Sequence, residues 1–150
     1  MVGEKLVSLI QRQETFAFNT GRGAGLYDFT SDVQAWLREE RLGTGQINLF
    51  CQHTAASLII QENVDPDVQA DLLSFFRRLV PDGPDGYIHT LEGPDDMPAH
   101  IKTALTASQL TVPVNKGRLM LGTWQGIYLF EHRTSPHRRS VVFHFIGEEL

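Results

Sequence analysis

Apolar and polar positions recur along the chain with two different periods. Lys5 to Ile10 is a short apolar run, and Thr15-Phe16-Ala17-Phe18 places β-type residues at alternate positions, so both predict strands. Val33, Trp36 and Leu37 fall at i, i+3 and i+4, the spacing of one helix face, with Thr30 or Ser31 able to cap its start and Gly43 able to end it. Gln46 to Gln52 and Ala56 to Gln61 predict two further strands, parted by His53-Thr54-Ala55. Asp65-Pro66 opens a second helix, whose expected buried stripe is Val68, Leu72, Phe75, Phe76 and Leu79. Val80 to Pro98 is rich in proline, glycine and aspartate and predicts a long loop, of a length that is often functional. A third helix is expected from about Met97 to Ala107, with Asp95 or Asp96 as its cap. Leu110 to Val114, Arg118 to Leu121, Gln125 to His132 and Ser140 to Ile146 then predict strands, the last apolar on both faces, with His144 in a core or a subunit interface. Strands and helices mix without strict βαβ alternation. The expected class is therefore α+β, about three helices packed on a largely antiparallel sheet or sandwich.

The 150 residues suit a single domain, 1–150. Thirteen basic against eighteen acidic residues give a net charge of −5, which argues against a broad basic face for nucleic acid. Cys51 is the one cysteine, so neither an internal disulfide nor a Cys-rich zinc motif is available, and its apolar strand makes it a poor nucleophile. No apolar run approaches the ~18 residues of a membrane helix. The stretch MVGEKLVSLIQRQ lacks the apolar core and cleavage site of a secretory signal, so a cytoplasmic protein is expected.

Six histidines direct attention to metal chemistry. His53 lies where a strand breaks into a polar turn. His100 stands four residues after Asp96, a spacing that shares one helix face. His132 ends a strand next to Glu131, whose side chain should point the other way. Three imidazoles and a carboxylate suit zinc or another borderline divalent cation with one position left open, or else these histidines simply bond locally in turns. His89, in the acidic loop, joins such a site only if that loop folds over it, and His137 belongs to a solvated turn. Glu62 is either a base or ligand facing a pocket or a charge polarising the next helix entrance. Asp95-Asp96 either holds an ion or caps a helix. Lys116, Arg118 and Arg133 are candidate anion contacts. The Gly21-Arg22-Gly23-Ala24-Gly25 loop is a flexible turn more readily than a phosphate cradle, since it matches neither known glycine-rich phosphate pattern.

Three blocks carry a resemblance. His53-Thr54-Ala55-Ala56-Ser57-Leu58 with Glu62-Asn63 and Asp65-Pro66 is the first, and Gly93-Pro94-Asp95-Asp96-Met97-Pro98-Ala99-His100-Ile101-Lys102 is the second. The third runs from Gly117-Arg118 through Gly122-Thr123-Trp124-Gln125-Gly126-Ile127 to Glu131-His132-Arg133. Together they resemble the YjbQ-like family, also called the secondary thiamine-phosphate synthase family. Val64 and Ser135-Pro136-His137 depart from its pattern, away from the site residues. The resemblance implies a mixed β-sandwich, a homotrimer, and a weak activity joining an aminopyrimidine diphosphate to a thiazole phosphate. Under that reading His53, His100 and His132 hold zinc, with magnesium possible for a diphosphate substrate, or the phosphate itself. Glu62 or Asp96 supports them, Trp124 offers an aromatic face to the pyrimidine cation, and Lys116, Arg118 and Arg133 bind phosphate. The alternative is a metal- or metabolite-binding protein whose synthase activity is incidental.

Overall fold

The computed structural model describes residues 6–150. Alternation drives the strands into two antiparallel sheets. In chain order the elements are β1 (Leu9–Asn19), β2 (Gly25–Asp28), α1 (Thr30–Glu39), β3 (Leu42–Cys51), β4 (Ala56–Glu62), α2 (Pro66–Leu79), α3 (Asp96–Leu105), β5 (Gln109–Asn115), β6 (Arg118–Leu119), β7 (Gln125–Glu131) and β8 (Arg138–Glu149). The larger sheet has the order β1-β8-β3-β5-β6 and the smaller β2-β7-β4. The α+β class holds. No described helix is long and apolar enough to cross a membrane.

One core joins both sheets to α1. Ile47, Leu49, Phe143 and Phe145 enter it from the large sheet, Leu58, Ile127 and Leu129 from the small one, and Val33, Trp36 and Leu37 from the helix. The other face of the small sheet is covered as well, where Leu26, Tyr128 and Phe130 meet Leu72, Leu73 and Phe76 of α2. A strand covered on both faces reads as a continuous apolar run, and β7, buried from Gly126 to Glu131, is that strand. It carries Glu131 deep inside the molecule.

Several local expectations are corrected. Lys5 lies outside the described residues, and Leu6 to Ser8 form no strand. The two expected N-terminal strands are one, because β1 pairs without a break against β8, from Leu9 opposite Glu148 to Asn19 opposite Arg138. Its polar middle is tolerated at a sheet edge. At α1 the cap residue is Phe29, and Asp28 binds the Thr30 N–H and hydroxyl at 2.9 and 2.6 Å. The chain leaves that helix through Arg41 in the left-handed region, φ 53°, so Gly43 is already strand. In α2 only part of the expected stripe turns inward, and Phe75 and Leu79 are exposed. On β8 only the Val141, Phe143, Phe145 face enters the core. His144 lies on the outward face between the side chains of Gln11 and Gln13, at 2.9 and 2.8 Å.

The β3–β8 crossing depends on two facing glycines. Gly45 stands opposite Gly147 beside an irregularity in the pairing. A Cβ on Gly45 would collide with the Ile146 carbonyl and lie 2.6 Å from the Gly147 Cα, and both are backbone atoms that cannot swing aside. Gly45→Ala is therefore expected to lose about 1–3 kcal/mol, the usual cost of overpacking. Urea unfolding checks this, and a midpoint equal to the parent's would show that the crossing yields freely.

Candidate functional site

The second sequence block builds the centre of the site. Asp96 opens α3 and His100 follows one turn later on the same face. His89 reaches over from the loop that precedes the helix. Its Nε2 lies 2.6 Å from Asp96 Oδ2, and the His100 Nε2 lies 3.2 Å from the same oxygen. One ligand atom from each of the three residues falls within 4.8 Å of the others, the one such group among the described residues.

The hydrogen bonds around this trio select its protonation. The His100 Nδ1–H donates to the Thr54 carbonyl at 2.9 Å, so the neutral ring presents an unprotonated Nε2 to Asp96. In that form a lone pair faces a carboxylate oxygen, and a proton or a metal cation between them satisfies both. Metal-binding histidines are commonly held this way, with the second nitrogen tied to a backbone carbonyl. The other Asp96 oxygen accepts from Arg133 Nη1 at 2.8 Å, which leaves Oδ2 to the histidines.

Asp95 does not cap α3 with its side chain. It turns instead to Arg133 Nε at 2.9 Å and to the Thr134 N–H and hydroxyl. Burial alone would raise its pKa, but these donors overcome that and hold it down at about 2. Arg133 also donates to the Glu92 carbonyl. Its guanidinium therefore fastens the loop to the helix start and is spent on protein acceptors.

Asp96 and His100 of this trio line a cleft of about 650 Å³ together with Cys51, His53, Arg133 and Arg139, a size that suits a small ligand. Cys51 stays a buried thiol, pushed up to about 11 chiefly by burial. Behind His53 lies a buried ion pair. Arg139 donates from Nε and Nη2 to the two oxygens of Glu131 at 2.8 and 2.7 Å. Glu131 also accepts from the Thr20 hydroxyl and from the N–H groups of His132 and Arg133.

Of the residues singled out in the sequence, the structure brings His53, Asp96, His100 and Arg133 into one cleft, and His89 joins them. His132 goes elsewhere. Its ring packs on Phe130 at 4.2 Å, its Nε2 meets Ser57 Oγ at 2.9 Å, and it lines a separate small crevice with Lys102. Successive side chains at a strand end point to opposite faces, so Glu131 takes the side towards Arg139 and His132 the other. Glu62 and Trp124 are also apart. Ala56 pairs with Glu131 but Glu62 pairs with Gln125, which sets them about 20 Å further along the strand. Trp124 there is 58% exposed. Lys116 and Arg118 border a different hollow with Gln34 and Arg38 at the β5–β6 turn. The Gly21–Gly25 loop is a pinned turn, with the Tyr27 hydroxyl donating to the Gly23 carbonyl at 2.7 Å and accepting the Arg22 N–H at 3.1 Å.

Sequence reasoning passed over Arg139, although a signal was present. It shares the period-two face of Val141, Phe143 and Phe145, and a cation on a core face needs a buried partner.

His132 sets an acid limit on the fold. Burial pushes its pKa from 6.5 down to about 3, with the charges of Lys102 and Arg139 adding to the effect. A depressed histidine pKa means that the unfolded chain binds a proton the folded one refuses. Its effect is absent above about 6.5 and destabilises progressively as pH falls from there towards 3, by up to ~1.4 kcal/mol per unit. His132→Asn is expected to flatten this part of the stability–pH curve. Urea unfolding from pH 7 to 4 measures it, and an unchanged slope would assign the acid loss to other groups.

An α+β protein of two antiparallel sheets, with a His–Asp–His trio in an arginine-lined cleft, is thus the class in hand. The chain belongs to the UPF0047 protein YjbQ-like family, whose pattern matches residues 14–148. It is 50% identical over 138 residues to UPF0047 protein sll1880 of Synechocystis sp., covering 92% of this chain and 93% of that protein. It is 42% identical over 130 residues to UPF0047 protein YjbQ of Escherichia coli O157:H7, covering 86% and 94%. Among solved structures, a yjbq/upf0047 family protein from Clostridium acetobutylicum superposes with a TM-score of 0.78 at 34% identity, over 89% of this chain and 99% of that one. A YbjQ-like protein from Sulfolobus solfataricus P2 shares the fold, with a TM-score of 0.83 at 22% identity over 94% of this chain and 100% of that one.

Proposed function

We propose that this chain is a divalent-metal-dependent enzyme acting on small phosphorylated metabolites, with thiamine-phosphate synthesis as its reaction. The observation that carries the reading is the His89–Asp96–His100 trio, in which Thr54 ties the His100 Nδ1 and leaves its Nε2 towards Asp96. Two imidazoles and one carboxylate suit zinc with a position left open to a ligand. A bound divalent ion supplies charge neutralisation to a departing diphosphate. In the proposed reaction the bond between the pyrimidine methylene carbon and the diphosphate oxygen breaks, and its electron pair leaves with diphosphate. The thiazole ring nitrogen forms the new C–N bond with that carbon, so no proton need be removed. Arg133 positions Asp96 and the loop that carries His89. Glu62, Trp124, Lys116, Arg118 and His132 stand outside this cleft and take no part in it.

Steady-state kinetics with both precursors test the reading, with and without chelator. Turnover that chelator abolishes and zinc or magnesium restores is the expected result. Tight zinc binding without turnover would favour a metal- or metabolite-binding role, and no binding of either metal would remove the proposal. The family resemblance also supports a homotrimer, in which a neighbour would cover the outward face of β8 at Val142 and Ile146. Light scattering should then give three times the chain mass.

A further inference from the structure

His53 lies in the same cleft as the metal trio, and its hydrogen bonds forbid it the role of a ligand. The backbone N–H of Ser140 donates to His53 Nε2 at 2.7 Å. A backbone N–H only donates, so Nε2 must offer its lone pair and the ring proton resides on Nδ1. For Nδ1 to bind a metal, the ring would have to give up its last proton. The nearest partner of Nδ1 is Arg139 Nη1, at 3.5 Å. Arginine too is a donor only. Two N–H groups therefore face each other, and no protein acceptor joins them among the described residues.

The surroundings keep this mismatch from relaxing. The Arg139 side chain is more than nine-tenths buried, and Nε and Nη2 are fixed on the two oxygens of Glu131. Glu131 already accepts five hydrogen bonds and has no capacity left for Nη1. Buried donors require acceptors, and a cationic donor favours an anionic one. Burial, with the charge of Arg139, keeps the pKa of His53 below its ordinary value, in keeping with a neutral ring.

We infer that Arg139 Nη1 and His53 Nδ1 form a subsite for an anionic oxygen of the cleft's ligand, phosphoryl or carboxylate, beside the His89–Asp96–His100 trio. The inference deepens the proposed function, because it rests on this cleft being where the ligand binds. Of the two roles expected for His53 from the sequence, metal ligand or phosphate contact, it leaves the second and adds Arg139 as its partner. A small ligand with one charged oxygen on this pair and another towards the trio would be oriented across the cleft.

The test begins on metal-free protein in chelator, so that it can succeed or fail apart from the metal reading. Long-range proton–nitrogen spectra of the histidine rings are recorded while inorganic phosphate, and separately acetate, is added. The expected result is a His53 ring protonated on Nδ1, with saturable movement of that resonance. Response to phosphate, to acetate or to both identifies the source of the oxygen. His53→Ala should weaken binding of the responding anion about tenfold or more, the loss typical of a hydrogen bond to a charged group, while zinc affinity stays within about twofold of the parent. The inference is overturned by a proton on Nε2, by a ring unmoved by either anion, or by parent-like anion binding in His53→Ala. Loss of zinc in that variant would also overturn it, by making His53 a ligand. If the parent binds no zinc, the metal reading fails while the anion result stands.

Discussion

Zinc affinity in Asp96→Asn is expected to fall by more than the ~10–100-fold that follows loss of an outer partner of a metal ligand. Asparagine keeps the shape of the side chain and an oxygen for Arg133 Nη1, so the helix start should survive. It loses the charge that both His89 and His100 face, and a neutral amide is a poor substitute for a carboxylate on zinc. Competition against a chromophoric chelator measures the change. Asp95→Asn is the matching control. It disturbs the clamp on Arg133 and Thr134 without touching the histidines, so it should cost stability while zinc binding largely persists. Parent-like zinc binding in Asp96→Asn would remove the trio as a metal site.

The largest effect on stability is expected at Glu131. Glu131→Ala leaves both arms of the Arg139 guanidinium buried without their partner and removes the acceptor of three other donors: the Thr20 hydroxyl and the His132 and Arg133 N–H groups. Breaking a buried pair from one side typically costs ~3–5 kcal/mol. Urea unfolding should show a loss of that size at an unchanged denaturant slope. Arg139→Met in the Glu131→Ala background should recover part of it, because the stranded charge is gone. A loss below about 1 kcal/mol would mean that water reaches the pair and that it behaves as a surface ion pair.

The His89–Asp96–His100 trio was half legible in the sequence. Asp96 and His100 are one helical turn apart, and helical periodicity alone places them on one face. His89 sits in a loop without periodicity, and only the fold of residues 80–95 over the start of α3 brings it to Asp96. The anion pair was less legible still, since the state of His53 depends on a backbone N–H contributed from β8, 87 positions away. His132 shows the opposite error. It shares a distinctive block with Arg133, yet neighbouring side chains at the end of β7 part to opposite faces of the small sheet. Glu62 and Trp124 also share the blocks, but strand length carries them to the far end of the sheet.

The sequence by itself determined the class of fold, because strand alternation, helical spacing and turn residues are local properties that the chain displays without its partners. It determined three helices, most of the strands and the family through blocks of contiguous residues. Tertiary structure decided everything that depends on which side chains share a space. The pairing of β1 along the whole of β8 made one strand from two expected ones. The packing of the large sheet on the small one made Glu131 a buried charge and set Arg139 beside it. The cleft gathered His53, Asp96, His100 and Arg133 from separate segments, with His89 against Asp96, and left the other candidates outside. The reason is physical. Local pattern follows from one residue's neighbours in the chain, whereas protonation, ligation and burial follow from donors, acceptors and charges that only the packed chain brings within a few ångströms.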